Sequence, residues 1–225
     1  CASVELPAVG VVNGETYSEA ATLMKYQDVT IQAATFNDEF SVMRETDEMA
    51  ASSPNVRRLV VRNCVFEQRV TLTSNFMAPK GNVAVEVLFE GNTFKQGLKL
   101  SAAFRAKDAA NDQTAAYNVT IVRNTFLSAD QRYQLEVNDF VEFYSSVVNV
   151  VDNTFTTQVE SGDFAAARIN NDYKSLRDRD GVPTTEYSTT AGHITNIVGN
   201  TVTITSAMSC LKTANGIEMM SSSDY

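Results

Sequence analysis

One phrase recurs along this chain at nearly constant spacing, and that recurrence limits the possible folds more than any other feature. The segments are VTIQAATF (29–36), RLVVRNCV (58–65), VLFEGNTF (87–94), VTIVRNTF (119–126), VNVVDNTF (148–155) and TNIVGNTV (195–202). Aligned on the asparagine, the shared position holds Ala34, Asn63, Asn92, Asn124, Asn153 and Asn200, at steps of 29, 29, 32, 29 and 47 residues. Three residues earlier stand Ile31, Val60, Phe89, Ile121, Val150 and Ile197; two residues later stand Phe36, Val65, Phe94, Phe126, Phe155 and Val202. Both columns are apolar throughout. The column five residues before the asparagine is mostly apolar too: Val29, Arg58, Val87, Val119, Val148 and Thr195. Alternation at that spacing is the period of a strand with one buried face, and the β-branched and aromatic composition suits strands. Gly91 and Gly199 sit just before the asparagine, where the chain would turn.

Helical repeats of similar length need apolar residues at i, i+3, i+4 and i+7 among strong helix formers. These segments lack that pattern, so a helical solenoid is rejected. Further apolar runs follow the phrase, as in RVTLTSNF (69–76), LKLSAAF (98–104) and YQLEVNDFVEF (133–143). Each repeat therefore holds two or three short strands. Such a unit buries its apolar face only by stacking on its neighbours, with equivalent strands in parallel. The expected fold is all-β, a parallel β-helix of about six coils. At about 4.8 Å per coil it would stand roughly 30 Å tall.

These segments resemble the coils of the right-handed parallel β-helix, pectate-lyase-like superfamily, over roughly residues 26–220. VVRNCVF (60–66) is also similar to repeats of large protist surface proteins. The resemblance is specific for fold and not for activity, since that superfamily holds polysaccharide lyases, glycoside hydrolases, tail spikes and adhesins. It implies an asparagine ladder in a tight turn, formed here by Asn63, Asn92, Asn124, Asn153 and Asn200, with Ala34 ending it. Amides one strand spacing apart can satisfy each other's donors and acceptors, and asparagine tolerates the left-handed backbone of a sharp bend. The phenylalanines would stack in the core.

Within this frame, residues 1–25 are expected to cap the helix. ETYSEAATLMKY (15–26) reads as a short helix after the turn signal Asn13–Gly14, with Ala21, Leu23 and Met24 on the first coil. Residues 26–225 form the β-helix, interrupted by a long loop at about 160–193. IEMMSSSDY at the C-terminus offers no clear cap. The residues two before the asparagine, Gln32, Val61, Glu90, Val122, Val151 and Val198, should face outward. Val61, Val122, Val151 and Val198 then make an apolar strip suited to homo-oligomer contact.

Cysteine and charge remove whole classes of function. Cys1, Cys64 and Cys210 are odd in number and at no metal-binding spacing, and His193 is the lone histidine. No zinc or other metal and no cofactor is implied. Asp-Arg-Asp-Gly at 178–181 lacks the spacing and final Glu of a calcium loop. Cys64 and Cys210 fall four coils apart, roughly 19 Å, too far for a disulfide. A net charge of −9 argues against a nucleic-acid partner. No apolar run spans a bilayer. A chain opening on Cys1 is similar to a mature bacterial lipoprotein, which implies a lipid anchor there.

Function is expected where the repeat is broken, because loops on a rigid scaffold carry function. The candidate ligand-binding residues are Asp172, Tyr173, Lys174, Arg177, Asp178, Arg179, Asp180 and His193. The expected protein is a non-enzymatic extracellular or cell-surface module, structural or adhesive, with a polysaccharide or another surface protein as partner. One alternative is a polysaccharide lyase or glycoside hydrolase. Its outward candidates are Arg62, Arg123 and Asp152, the last two able to pair across adjacent coils. Hydrolysis would require two carboxyl groups some 5–10 Å apart, and these columns do not supply them. No G-x-S-x-G is present to suggest an acyl-transfer nucleophile. A second alternative is a subunit of a spike or fibre.

Overall fold

A computed structural model describes residues 3–24, 26–42, 56–72, 84–101, 116–127, 133–138, 145–159, 163–170, 194–206 and 213–220. Every element among them is a strand, and every pairing is parallel. The chain opens with β1 (Val4–Leu6) and then repeats a three-strand coil. The first coil is β2 (Val9–Asn13), β3 (Thr16–Tyr17) and β4 (Ala21–Leu23). The second is β5 (Asp28–Gln32), β6 (Thr35–Phe36) and β7 (Phe40–Val42). The third is β8 (Val56–Arg62), β9 (Val65–Phe66) and β10 (Val70–Leu72). The fourth is β11 (Ala84–Glu90), β12 (Thr93–Phe94) and β13 (Leu98–Ser101). The fifth is β14 (Ala116–Val122), β15 (Thr125–Phe126) and β16 (Tyr133–Asn138). The sixth is β17 (Ser145–Val151), β18 (Thr154–Val159) and β19 (Asp163–Asn170). The seventh is β20 (Ile194–Val198), β21 (Thr201–Ser206) and β22 (Thr213–Met220).

Equivalent strands stack into three faces. The first face is the seven-stranded sheet β2-β5-β8-β11-β14-β17-β20, and the second is the seven-stranded sheet from β3 to β21. The third face divides into β1-β4-β7 and β10-β13-β16-β19-β22. The chain is thus a parallel β-solenoid, as the repeat requires. Its sheets hold seven coils where six were expected. The additional coil is the region expected to be a helical cap: residues 16–17 and 21–23 are strands, registered with Thr35–Phe36 and Phe40–Val42. Strands of two and three residues are too short to show alternation in the sequence. Ala21 and Leu23 do face the core, fully buried.

The register also corrects the third coil. Val65 pairs with Thr35 and Thr93, and Phe66 pairs with Phe36 and Phe94. The ladder position there is Cys64, not Asn63. The inward residues of β8 are Leu59 and Val61, each fully buried, where Arg58 and Val60 were expected. Val61 therefore does not belong to the outward column; Arg62 takes that place beside Gln32 and Glu90.

The correction has a conformational cause. Each coil leaves the first face through one residue with positive φ: Gly14 (75°), Ala33 (52°), Asn63 (53°), Gly91 (65°), Arg123 (53°), Asp152 (53°) and Gly199 (68°). Asparagine enters the left-handed region more readily than most residues, so Asn63 suits the bend itself. At Gly91 a Cβ would lie 2.5 Å from the Asn63 Oδ1, which leaves the neighbouring side chain its place.

Behind the bend runs the ladder. The Asn92 Nδ2 donates to the Asn124 Oδ1 (3.0 Å), the Asn124 Nδ2 to the Asn153 Oδ1 (3.1 Å) and the Asn153 Nδ2 to the Asn200 Oδ1 (3.0 Å). Each of those Oδ1 atoms also accepts the backbone N–H of the preceding asparagine at 2.9 Å. The Nδ2 atoms of Asn92, Asn124 and Asn153 give their second hydrogen to the carbonyls of Val61, Phe89 and Ile121 one coil back, and the Asn200 Nδ2 donates to the Val150 carbonyl. Cys64 imitates the arrangement. Its N–H donates to the Asn92 Oδ1 (2.9 Å) and its thiol to the Ile31 carbonyl (3.6 Å). Beside the ladder, Tyr17, Phe36, Phe66, Phe94, Phe126 and Phe155 form one continuous stack, with successive centroids 4.7–5.1 Å apart. That spacing is the strand spacing, so each ring repeats the offset stack of the coil below.

Candidate functional site

Asp172, Tyr173, Lys174, Arg177, Asp178, Arg179, Asp180 and His193 all lie outside the described residues, as does Cys210. The expected loop at 160–193 nevertheless changes shape at its start, because 163–170 is β19, paired with β16 and β22. Topology places the remainder. A third-face strand precedes, and a first-face strand follows, each of the segments 43–55, 73–83, 102–115, 139–144 and 171–193. All five connections therefore leave and rejoin the solenoid at one corner. The corner between the first and second faces is only the bend and the ladder residue, and it is sealed by hydrogen bonds such as Thr93 N–H to the Cys64 carbonyl (2.8 Å).

The outward residues of the described coils are organised by charge. Glu90 lies between two arginines, with Arg62 at 4.0 Å on one side and a close ion pair to Arg123 on the other. Arg123 thus turns back to Glu90 rather than on to Asp152, the pairing the sequence suggested. On the third face, Lys99, Glu136, Arg168 and Glu218 occupy one register column with alternating sign. Arg69 reaches two coils to the Glu136 Oε2 at 2.8 Å, and both side chains are more than four-fifths buried. On the way its Nη1 donates to the carbonyls of Gln96 and Tyr133. It passes over Gly97, where a Cβ would lie 2.6 Å from that Nη1. Burial pulls the Arg69 guanidinium below its usual range, and the Glu136 carboxylate opposes that shift. Arg168 lies 5.3 Å from the centre of the Tyr133 ring and donates to its hydroxyl at 3.2 Å. These carboxylates are held by cations, an arrangement suited to register and not to proton transfer.

A groove of about 220 Å³ opens on the first face next to the corner that carries the long connections. Its rim includes Arg58 and Glu86, 3.8 Å apart, with Asn118 and Thr120 one coil further on. Val60 and Leu88 line it from below. Val60 points away from the core yet is 1% exposed, while Leu88 beside it is partly exposed. The sequence held the signal for these residues in the outward half of the strand alternation; the one-residue slip at Asn63 hid it.

Among the described residues no group of three or more His, Cys, Asp or Glu could hold a metal ion. None of their elements is a helix long and apolar enough to cross a membrane. Cys64 is a free, buried thiol whose pKa burial pushes up to about 11. Compared with family models, curated proteins and solved structures, the chain finds no match.

Proposed function

We propose that the chain is a non-enzymatic, extracellular or cell-surface adhesive module of the right-handed, pectate-lyase-like kind, binding a polysaccharide or another surface protein. The observation that carries this reading is the corner between the third and first faces, at which the four longest connections, 43–55, 73–83, 102–115 and 171–193, all leave the stack. A rigid scaffold that gathers its variable segments along one edge is built to present them to an extended partner. Asp172, Tyr173, Lys174, Arg177, Asp178, Arg179, Asp180 and His193 belong to the longest of those connections.

Affinity electrophoresis of the whole chain in gels containing neutral and acidic polysaccharides tests the reading. Retardation by one polymer class is expected. Replacing 171–193 by a short Gly-Ser turn should abolish it while leaving the β-sheet circular dichroism unchanged. Retardation that survives the replacement rejects the assigned edge. Release of reducing ends or of unsaturated uronates, seen by absorbance in the ultraviolet, would show a hydrolase or lyase instead.

Val122, Val151 and Val198 favour a second reading as a self-associating subunit of a spike or fibre. They stand one per coil on the first face, and Val198 is 59% exposed. Sedimentation equilibrium with Val151→Lys tests it, a loss of association being the expected result.

A further inference from the structure

We propose that Asn118 carries an N-linked oligosaccharide whose first sugar ring lies in the groove of the first face. The inference rests on the surface location proposed above. Four observations meet at this residue. The sequence contains one Asn-X-Ser/Thr triplet in which X is not proline, and it is Asn118–Val119–Thr120. A strand places alternate residues on one side, so Asn118 and Thr120 both face outward while Val119 is fully buried in the core. Asn118 is exposed, unlike Asn92, Asn124 and Asn153, whose amides are spent on the inner ladder. Finally, Asn118 and Thr120 are themselves on the wall of the groove.

The groove suits a single sugar. On its floor the partly exposed Leu88 offers an apolar surface to the C–H face of a pyranose, and the Arg58–Glu86 pair offers donors and acceptors at the rim. At about 220 Å³ it is smaller than a drug-sized pocket and matches one ring. The attachment is a group transfer from a lipid-diphosphate-linked oligosaccharide to the unfolded, extended triplet. The Asn118 Nδ2 forms a bond to the anomeric carbon and loses one proton. The bond from that carbon to the diphosphate oxygen breaks, and the lipid diphosphate leaves with the electron pair. Folding then lays the attached ring over Leu88, one coil away.

The test is secretion of the whole chain from a eukaryotic host behind a heterologous leader, followed by intact mass and peptide mapping. One oligosaccharide at Asn118 is expected. It should be absent from Asn118→Gln and from Thr120→Ala and kept in Thr120→Ser. Amidase release of the sugar should be at least ten-fold slower from the folded chain than from the denatured one, and Arg58→Ala should narrow that gap. A secreted, folded chain with bare Asn118 overturns the acceptor assignment. Equal release from folded and denatured chains overturns the seat in the groove. An Asn118 that is modified in this host yet bare on the chain recovered from its own cells overturns the proposal for the native chain and leaves the surface reading standing.

Discussion

Asn124 shows how much one residue can carry in a stacked fold. Its Oδ1 accepts two hydrogen bonds and its Nδ2 donates two, all in a site that is 1% exposed. Truncation strands partners on the coils at both sides, because no water reaches them. Asn124→Ala should therefore lower unfolding free energy by about 3 kcal/mol or more, read as the shift in denaturant midpoint at constant slope. Cys64 makes the converse case. It donates one thiol bond where asparagine would donate two amide bonds, so Cys64→Asn would extend the ladder to the Asn92 Oδ1 and the Ile31 carbonyl. A gain of about 1 kcal/mol at neutral pH is expected.

The Cys64 thiol also sets a pH dependence. Its folded pKa of about 11 lies above the ordinary value of 9.0 that an unfolded chain would show. The folded state holds its proton to higher pH, so the stabilisation is complete below about pH 9 and is lost as pH rises towards 11. Two pKa steps correspond to roughly 2–3 kcal/mol. Wild-type stability should fall across that window, and Cys64→Asn should flatten this part of the curve. A wild-type and variant that lose stability in parallel would show that other groups govern the alkaline limit.

Strands as short as two residues persist here because their neighbours repeat them. β12 holds only Thr93 and Phe94, yet Phe94 stacks on Phe66 and Phe126 within 5.1 Å of each. Register on the third face depends on charge as well: a slip of one coil would set Glu136 against Glu218 or Lys99 against Arg168. Gly97 is the weak point of that face. Its φ is +95°, and a Cβ would sit 2.8 Å from the Gln134 carbonyl oxygen and 2.6 Å from the Arg69 Nη1. Gly97→Ala should cost about 2–4 kcal/mol through strained backbone and a displaced Arg69. Ala33→Gly, at φ +52° with no such crowding described, should instead gain about 0.5–1 kcal/mol. Thermal midpoints of the two variants on either side of wild type would bear this out; both falling below it would contradict the bend geometry.

Across the whole molecule, stability follows position in the stack. Val150 and Phe155 of the sixth coil are fully buried, while Ile197, Val202, Ile204 and Ile217 of the seventh are only partly so. A solenoid gains its stability from nearest-neighbour interfaces, so an outer coil opens at lower cost than an inner one. Amide hydrogen exchange should be slowest in β11, β14 and β17. In β20 and β21 it should be at least 100-fold faster, and uniform protection across all seven coils would refute the gradient.

The repeat alone determined that the chain is a parallel β-solenoid; the amide ladder implied by the resemblance runs from Asn92 to Asn200, with Cys64 where it was expected to include Asn63. Periodicity in sequence becomes stacking in space whenever each unit is too small to bury its own apolar face. The faint first coil was not legible, because β3 and β4 hold only two and three residues and Val9-Gly10-Val11-Val12 in β2 does not alternate apolar with polar. Nor was the slip at Asn63. Asparagine serves both the left-handed bend and the ladder behind it, and the motif alone does not say which. Aligning on Phe66 rather than on Asn63 would have brought Leu59 and Val61 into the core columns, as the structure does. Which outward residues meet was decided only by the tertiary stack. Arg69 and Glu136, or Arg58, Glu86 and Asn118, become neighbours because a coil of variable length still rises by one strand spacing, and side chains far apart in sequence close on each other at that distance.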